Sequence, residues 1–168
     1  MVLKTFLVGV LVALVQLFLG LVFSVSAISA GLTLLDRLTK EADEWKLIKK
    51  GNVAVGVLYG MVTLSLIIMI EPSVLATVTS VSGAIMAGAW LAFVLQLLTL
   101  VIALLLSVLM IYTTLRVVDG LTADVSEFGE IIKGNVAMAI LTGSMVLAVS
   151  LVLRSGILYI VTALTGAI

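Results

Sequence analysis

The chain has 168 residues, of which 63% are hydrophobic and 11% are charged, and its nine basic and nine acidic residues cancel. Soluble domains contain about 45–50% apolar and about 25% charged residues, so this composition excludes a soluble fold, which needs a polar exterior. Cysteine and histidine are absent, which excludes thiolate chemistry and thiol or imidazole metal ligands, and the zero net charge gives no footprint for nucleic acid.

Four apolar segments follow one another along the chain, at residues 6–35, 53–70, 84–115 and 136–153. A helix needs about 20 such residues to cross the hydrocarbon core of a bilayer. The sequence has one proline and lacks the alternating pattern of barrel strands, which favours helices that satisfy their own backbone hydrogen bonds in lipid. We therefore predict an all-α, multi-pass protein of the cell membrane, with four transmembrane helices that contact the lipid bilayer.

The chain repeats itself after 83 residues, the distance from Asp36 to Asp119. This shift also superposes the sequence KGNVA at residues 50–54 on its second copy at 133–137, and no gap is required. Two spans in each unit make both units enter the membrane in the same direction, which predicts tandem parallel repeats about an axis along the membrane normal. The predicted units are residues 1–83 and 84–168.

The basic residues predict the orientation of the spans. The loop at residues 36–50 carries five of them and the loop at 116–133 carries two, whereas the opposite side has only Lys4 and Arg154. Cytoplasmic loops carry an excess of Lys and Arg. Both charged loops are therefore predicted to be cytoplasmic, and both termini to lie outside.

Spans two and four each begin with the KGNVA motif and continue it as a face of small residues. The motif and its face comprise Gly51, Asn52, Gly56 and Gly60 in the first unit and Gly134, Asn135, Ala139 and Gly143 in the second. Residues four apart share a helix face, and small residues at this spacing let helices approach closely in lipid. We predict packing seams that face a partner helix; the alternative is that the two asparagines line a pore or binding site.

The same residues carry a resemblance to a known family. An Asp-x-x-Thr pair, an acidic residue and a Gly-Asn-Val-Ala run occur twice, at Asp36, Thr39, Glu44 and 51–54, and at Asp119, Thr122, Glu127 and 134–137. This pattern resembles the prokaryotic "domain of unknown function 350" family of paired two-span repeats. The resemblance implies an integral membrane protein and no established chemistry.

Asp36 and Asp119 lie at the predicted cytoplasmic ends of spans one and three. Paired carboxylates about a two-fold axis could hold a cation through oxygen ligands alone. The competing interpretation, which we favour, is that each faces water at the membrane edge or pairs with Lys50 or Lys133. No metal site and no cofactor is therefore predicted.

Trp45 and Phe128 occupy equivalent positions just before spans two and four. Aromatic residues at such positions are typical interfacial anchors. The surrounding stretches at 41–50 and 124–133 are predicted to form short amphipathic helices at the cytoplasmic surface. Docking of a cytoplasmic protein partner on them is the alternative.

Glu71 and Arg154 also fall on equivalent positions, at the predicted far ends of spans two and four. They would form an ion pair between the two repeats, or else stand as two separate interfacial charges. An exposed pair contributes only about 0–1 kcal/mol, so its predicted role is to fix the register of the repeats.

The sequence leaves two functions open. Four spans give little room for a pathway within one chain, and no nucleophile, base and orienting group converge on an enzyme motif, so no enzyme is predicted. The first hypothesis is a homo-oligomeric channel or small-solute pore. The second is a homo-oligomeric membrane scaffold that presents its cytoplasmic loops to partner proteins.

Overall fold

A computed structural model describes residues 2–39, 44–121 and 126–166, and these residues are helical except at short turns. The elements are α1 (Val2–Thr39), α2 (Glu44–Lys49), α3 (Val53–Ala87), α4 (Trp90–Leu121), α5 (Glu127–Ile132) and α6 (Val136–Gly166). Four helices in the described residues, α1, α3, α4 and α6, are long and apolar enough to cross a membrane. The prediction of an all-α protein with four spans is confirmed.

The helix directions follow from their contacts. Gly20 of α1 lies against Val78 of α3, and Gly31 lies against Leu66, so α1 and α3 run antiparallel. The Thr77 hydroxyl of α3 donates to the carbonyl oxygen of Gln96 in α4 at 3.1 Å, across the hairpin that joins these two helices. Both repeats therefore show the same order, a long helix, a short helix and a returning long helix.

Helices α3 and α6 lie side by side and run parallel. Met61 of α3 packs against Gly143 of α6, and Glu71 pairs with Arg154, which follows it by 83 residues. This separation equals the repeat shift, so equivalent residues of the two repeats meet at the same height. Helix α3 is central, because it contacts each of the other five helices.

Apolar side chains fill the space between the long helices. The buried cluster includes Leu35 of α1, Leu66 and Met69 of α3, Ile111 and Leu115 of α4, Ile131 of α5, and Ala139 and Val146 of α6. The outer side of α1 carries exposed large apolar residues such as Phe6, Leu11 and Phe18. Burial inside and apolar exposure outside are what a helical unit surrounded by lipid requires.

Two predicted helix ends are wrong. Helix α3 does not end at residue 70 but continues to Ala87, and α6 does not end at residue 153 but continues to Gly166. The charges of Glu71 and Arg154 neutralise each other, so neither forces its helix out of the apolar region. The predicted repeat boundary at residues 83–84 falls inside α3, and the turn to α4 lies at Gly88, whose φ of +70° caps the helix.

Candidate functional site

The KGNVA motif is the joint between a short surface helix and a long one. Gly51 has a φ of +85°, a left-handed conformation that glycine adopts without a Cβ clash. Its N–H donates to Ile48 O at 2.9 Å, and the N–H of Asn52 donates to Leu47 O at 3.1 Å. The same bonds in the second copy join Gly134 to Ile131 and Asn135 to Glu130. Both copies therefore end α2 or α5 with a Schellman motif and start the next long helix at the asparagine.

The two asparagines share one role and differ in another. Each caps a long helix, because the Asn52 side chain accepts from Val55 N–H at 3.2 Å and the Asn135 side chain accepts from Met138 N–H at 3.2 Å. Asn52 also donates from Nδ2 to Ile132 O at 2.8 Å, which ties the first repeat to the end of α5. Asn135 is exposed, so it does not make the equivalent buried tie.

Glu130 shares its surroundings with Asn135. Its carboxylate accepts a hydrogen bond from Lys133 Nζ at 2.8 Å. That hydrogen bond, the positive charge of Lys133 and a further hydrogen bond from Asn135 hold the pKa of Glu130 below its usual range. The second copy of the motif is thus surrounded by solvent-exposed charge.

We expect Asn52→Ala to destabilise the protein more than Asn135→Ala. Both substitutions remove a cap worth about 1 kcal/mol. Only Asn52→Ala also removes a hydrogen bond between helices of the membrane unit, which averages about 0.6 kcal/mol. Thermal unfolding of the two matched variants in detergent measures the difference. Equal losses of Tm would show that the Asn52–Ile132 bond contributes nothing.

The two small-residue seams have different surroundings. In α6, Ala139 is fully buried, and a Cβ added to Gly143 would lie 2.9 Å from the Cβ of Met61. In α3, Gly60 is exposed, and a Cβ added to Gly56 or Gly60 would meet nothing within 4 Å. Among the described residues, the α6 seam packs against a partner helix, and Gly56 and Gly60 of the α3 seam do not.

A small cavity lies at the loop-side end of the helices. It has a volume of about 40 Å³, enough for one or two water molecules, and Asp36, Glu44 and Tyr59 line it together with apolar side chains that include Phe128. Asp119 does not line this cavity, and its Oδ1 is buried without a hydrogen-bond partner among the described residues. The structure thus does not bring Asp36 and Asp119 together in this cavity.

In the second repeat, a direct hydrogen bond joins the residues equivalent to Glu44 and Tyr59. Glu127 is buried, and its Oε2 accepts a hydrogen bond from the Thr142 hydroxyl at 2.9 Å. Tyr59 and Glu44 occupy the equivalent positions in the first repeat. Among the described residues, no group of three or more acidic side chains is arranged to hold a metal ion. Thr122, part of the repeated pattern, lies outside the described residues.

The two aromatic residues predicted as anchors lie in different environments. Trp45 is exposed and meets the ring of Tyr59 edge-on, with centroids 5.4 Å apart. Phe128 is half-buried and packs against the core. Both lie on the predicted short helices, which are present as α2 and α5.

Glu71 and Arg154 form an ion pair between the repeats. Arg154 Nη2 donates to Glu71 Oε2 at 2.5 Å, and the side chains of Arg154 and Glu71 are 47% and 48% exposed. Eighteen residues precede each of them in its helix, which puts both about 27 Å from the loop-side end at 1.5 Å per residue. The pair therefore lies at mid-helix, on the outer side of the four-helix unit.

A cleft opens beside this ion pair, between the terminal halves of α3 and α6. Its volume is about 380 Å³. The lining residues are Glu71, Pro72, Leu75, Ala76 and Thr79 of α3 and Arg154, Leu158, Val161 and Thr162 of α6. The cleft thus combines two opposite charges with a mostly apolar wall, and each repeat supplies one charge.

Comparison with protein families gives one match. The family model described as Domain of Unknown Function (DUF350) matches residues 5–107 and again residues 96–168. The chain belongs to the DUF350 family. Neither the curated proteins nor the solved structures gave a match. The two overlapping matches accord with a repeat-like architecture, and the motif residues of both repeats lie within them.

Some structural features of this DUF350 chain were not predicted. Gly31 packs so closely on Leu66 that an added Cβ would overlap it, and Leu104 lies 3.2 Å from that Cβ position. The signal for this contact is the small-xxx-small spacing of Ala27 and Gly31. The burial of Glu127 was also missed, because an acidic residue in a loop is usually solvated.

Proposed function

We propose that this integral membrane protein is a homo-oligomeric channel or small-solute pore whose pathway passes the Glu71–Arg154 pair. The observation that carries the proposal is the position of this pair, half-exposed at mid-helix on the outside of one chain. Parallel-repeat transport proteins bind their solutes near the bilayer midplane, at the interface between the repeats. In this proposal the pair and its cleft form that site.

The cost of exposing charge to lipid supports the proposal. If the hydrocarbon core, which is about 30 Å thick, is centred on α3 and α6, it contains the pair. Charged residues within membrane spans are costly, and they almost always face a protein interior or a water-filled cavity. The outer side of one chain supplies neither at this height, so a second copy or water must cover the pair.

The packing of a single chain favours a pathway between subunits. The buried apolar cluster fills the space between the four long helices, whereas the cleft opens on the outer side of α3 and α6. An assembly of several chains around the clefts would enclose them. The charged loops, following the distribution of basic residues, would then lie on the cytoplasmic side.

The free α3 seam supports association of copies. Gly56 and Gly60 are open, whereas their repeat equivalents Ala139 and Gly143 are packed against α3. The exposed side of α6 offers small residues at Ser144 and Ala148. This side of α6 in a neighbouring copy could therefore pack against the open α3 seam. The contact would resemble the packing of Met61 against Gly143 within one chain.

The scaffold remains the second candidate, favoured by the exposed surface of α2. Trp45, Lys46 and Lys49 are exposed there, and together they offer a partner an aromatic ring and two positive charges. In a scaffold, neighbouring copies would fill the clefts completely, and no solute would pass. Oligomerisation alone therefore does not distinguish the two functions.

Flux through liposomes tests the proposal. Purified protein is reconstituted, and the efflux of monovalent ions, divalent ions and small uncharged or zwitterionic solutes is measured. We expect flux of part of this panel, altered by Glu71→Gln combined with Arg154→Gln and unaffected by Ala13→Leu, a control on the exposed side of α1. Intact oligomers that pass none of these solutes would contradict the channel and favour the scaffold.

A further inference from the structure

The ion pair leaves hydrogen-bonding atoms of both Arg154 and Glu71 unoccupied. Arg154 has five N–H donors, and the pair occupies Nη2, while Glu71 accepts through Oε2. Each side chain is about half-exposed, and the structure gives them no other hydrogen-bond partner among the described residues. The remaining guanidinium donors and Glu71 Oε1 are therefore able to bind a molecule in the cleft.

The balance of these charges selects the kind of molecule. An anion that approaches Arg154 meets the carboxylate of Glu71, and a cation that approaches Glu71 meets the guanidinium, because the two groups are in direct contact. A molecule that carries both signs satisfies both groups at once. Guanidinium groups bind carboxylate and phosphate well, and a carboxylate accepts hydrogen bonds from ammonium.

The rest of the cleft suits the uncharged part of such a molecule. Leu75, Ala76, Leu158 and Val161 provide apolar walls. The Thr79 hydroxyl donates to Leu75 O at 2.9 Å, which leaves its oxygen able to accept from a ligand. A volume of about 380 Å³ lies in the range of about 300–1,000 Å³ that is typical of small-molecule sites.

We infer that the cleft between α3 and α6 binds a small zwitterion that carries an ammonium group, a carboxylate and an apolar side chain. This inference rests on the proposed function, since it names the class of solute that the pathway would pass. Arg154 binds the carboxylate, Glu71 binds the ammonium group, and the apolar wall holds the side chain. A phospholipid with an amine headgroup shares the charge pattern, and titrations in micelles with and without such a lipid distinguish the two sources.

Calorimetric titration of the full chain in neutral detergent tests the inference with three matched ligands. They are leucine, isopentylamine, which is leucine without its carboxylate, and 4-methylpentanoate, which is leucine without its amine. We expect leucine to bind at least about tenfold more tightly than either analogue. Absence of leucine binding, or an analogue that binds as tightly as leucine, would overturn the inference.

Variants locate the binding site. Thr79→Leu adds bulk to an exposed wall of the cleft without touching either charge, and it should weaken leucine binding. Ala13→Leu adds similar bulk on the exposed side of α1, away from the cleft, and should leave binding unchanged. Equal leucine binding by wild type and Thr79→Leu would overturn the site. Both variants keep Glu71 and Arg154, so the ion pair that joins the repeats stays intact in them.

Two further measurements distinguish a free zwitterion from a lipid headgroup, and failure of the binding site from failure of the channel. Leucine titrations are repeated in micelles that contain phosphatidylethanolamine or phosphatidylglycerol, and we expect equal affinities. Loss of binding with phosphatidylethanolamine alone would make the headgroup the occupant and overturn the free solute. Ion flux in liposomes without leucine binding would overturn this inference and support the proposed channel. Leucine binding without flux of any solute would support the site and contradict the channel.

Discussion

Gly143→Leu is expected to lower the stability of the protein strongly. An added Cβ would lie 2.9 Å from the Cβ of Met61, an atom near the backbone that cannot move without a shift of α3. Helices α3 and α6 would have to separate along their shared length, and overpacking of this kind costs about 1–3 kcal/mol or more. Thermal unfolding in detergent measures the loss.

Gly60→Leu is the matched control, because Gly60 is the repeat equivalent of Gly143. A Cβ at this position meets nothing within 4 Å, so the stability of one chain should stay near that of wild type. If the open α3 seam binds a second copy, the same substitution should lower the oligomer mass measured by light scattering. A stable Gly60→Leu protein of unchanged oligomer mass would show that the α3 seam does not bind a second copy. A stable Gly143→Leu protein would contradict the packing of α3 on α6.

The seams show how far the sequence could predict the packing. The spacing of Asn52, Gly56 and Gly60 and of their equivalents predicts two alike faces, and the structure packs only one of them within the chain. Two parallel helices related by a two-fold axis can pack the same face against each other, as GxxxG dimers do, but here Gly143 meets Met61 and not its equivalent Gly60. No repeat signal distinguishes Met61 from the serine at the equivalent position of α6.

The charged residues show how far the repeat predicts contacts between spans. Glu71 and Arg154 were assigned to the ends of their spans, because a single charge in an apolar run usually marks the water interface. Their alignment across the repeat predicts an ion pair, and the structure contains it. Glu127 is a different case, since its buried bond to Thr142 depends on how α5 lies against α6, which the repeat does not predict.

The repeated pentapeptide was predictable in position but not in mechanism. Its copies mark the starts of α3 and α6, as the sequence indicates. The positive φ angles of Gly51 and Gly134 explain the glycine, and the caps explain the asparagine. The asymmetry between Asn52 and Asn135 arises only from tertiary packing, because α5 lies beside Asn52.

Removal of one partner of the Glu71–Arg154 pair is expected to destabilise the protein more than removal of both. Arg154→Leu leaves the Glu71 carboxylate without its ion-pair partner at mid-helix, where an acidic residue costs about 2.5–3.5 kcal/mol in insertion experiments. Glu71→Gln together with Arg154→Leu removes the charge as well, and should recover most of the loss.

A double-mutant cycle from thermal or denaturant unfolding in detergent measures the coupling between the two side chains. The single variants and the double variant are compared at the same protein concentration, since association of copies would shift their stabilities. Additive effects would mean that water fully solvates both charges in the detergent-solubilised protein, and they would contradict the ion pair as a tie between the repeats. A large coupling energy with unchanged oligomer mass would show that the pair stabilises the contact of α3 with α6 within one chain. A simultaneous loss of oligomer mass would show that the pair also stabilises the contact with a neighbouring copy.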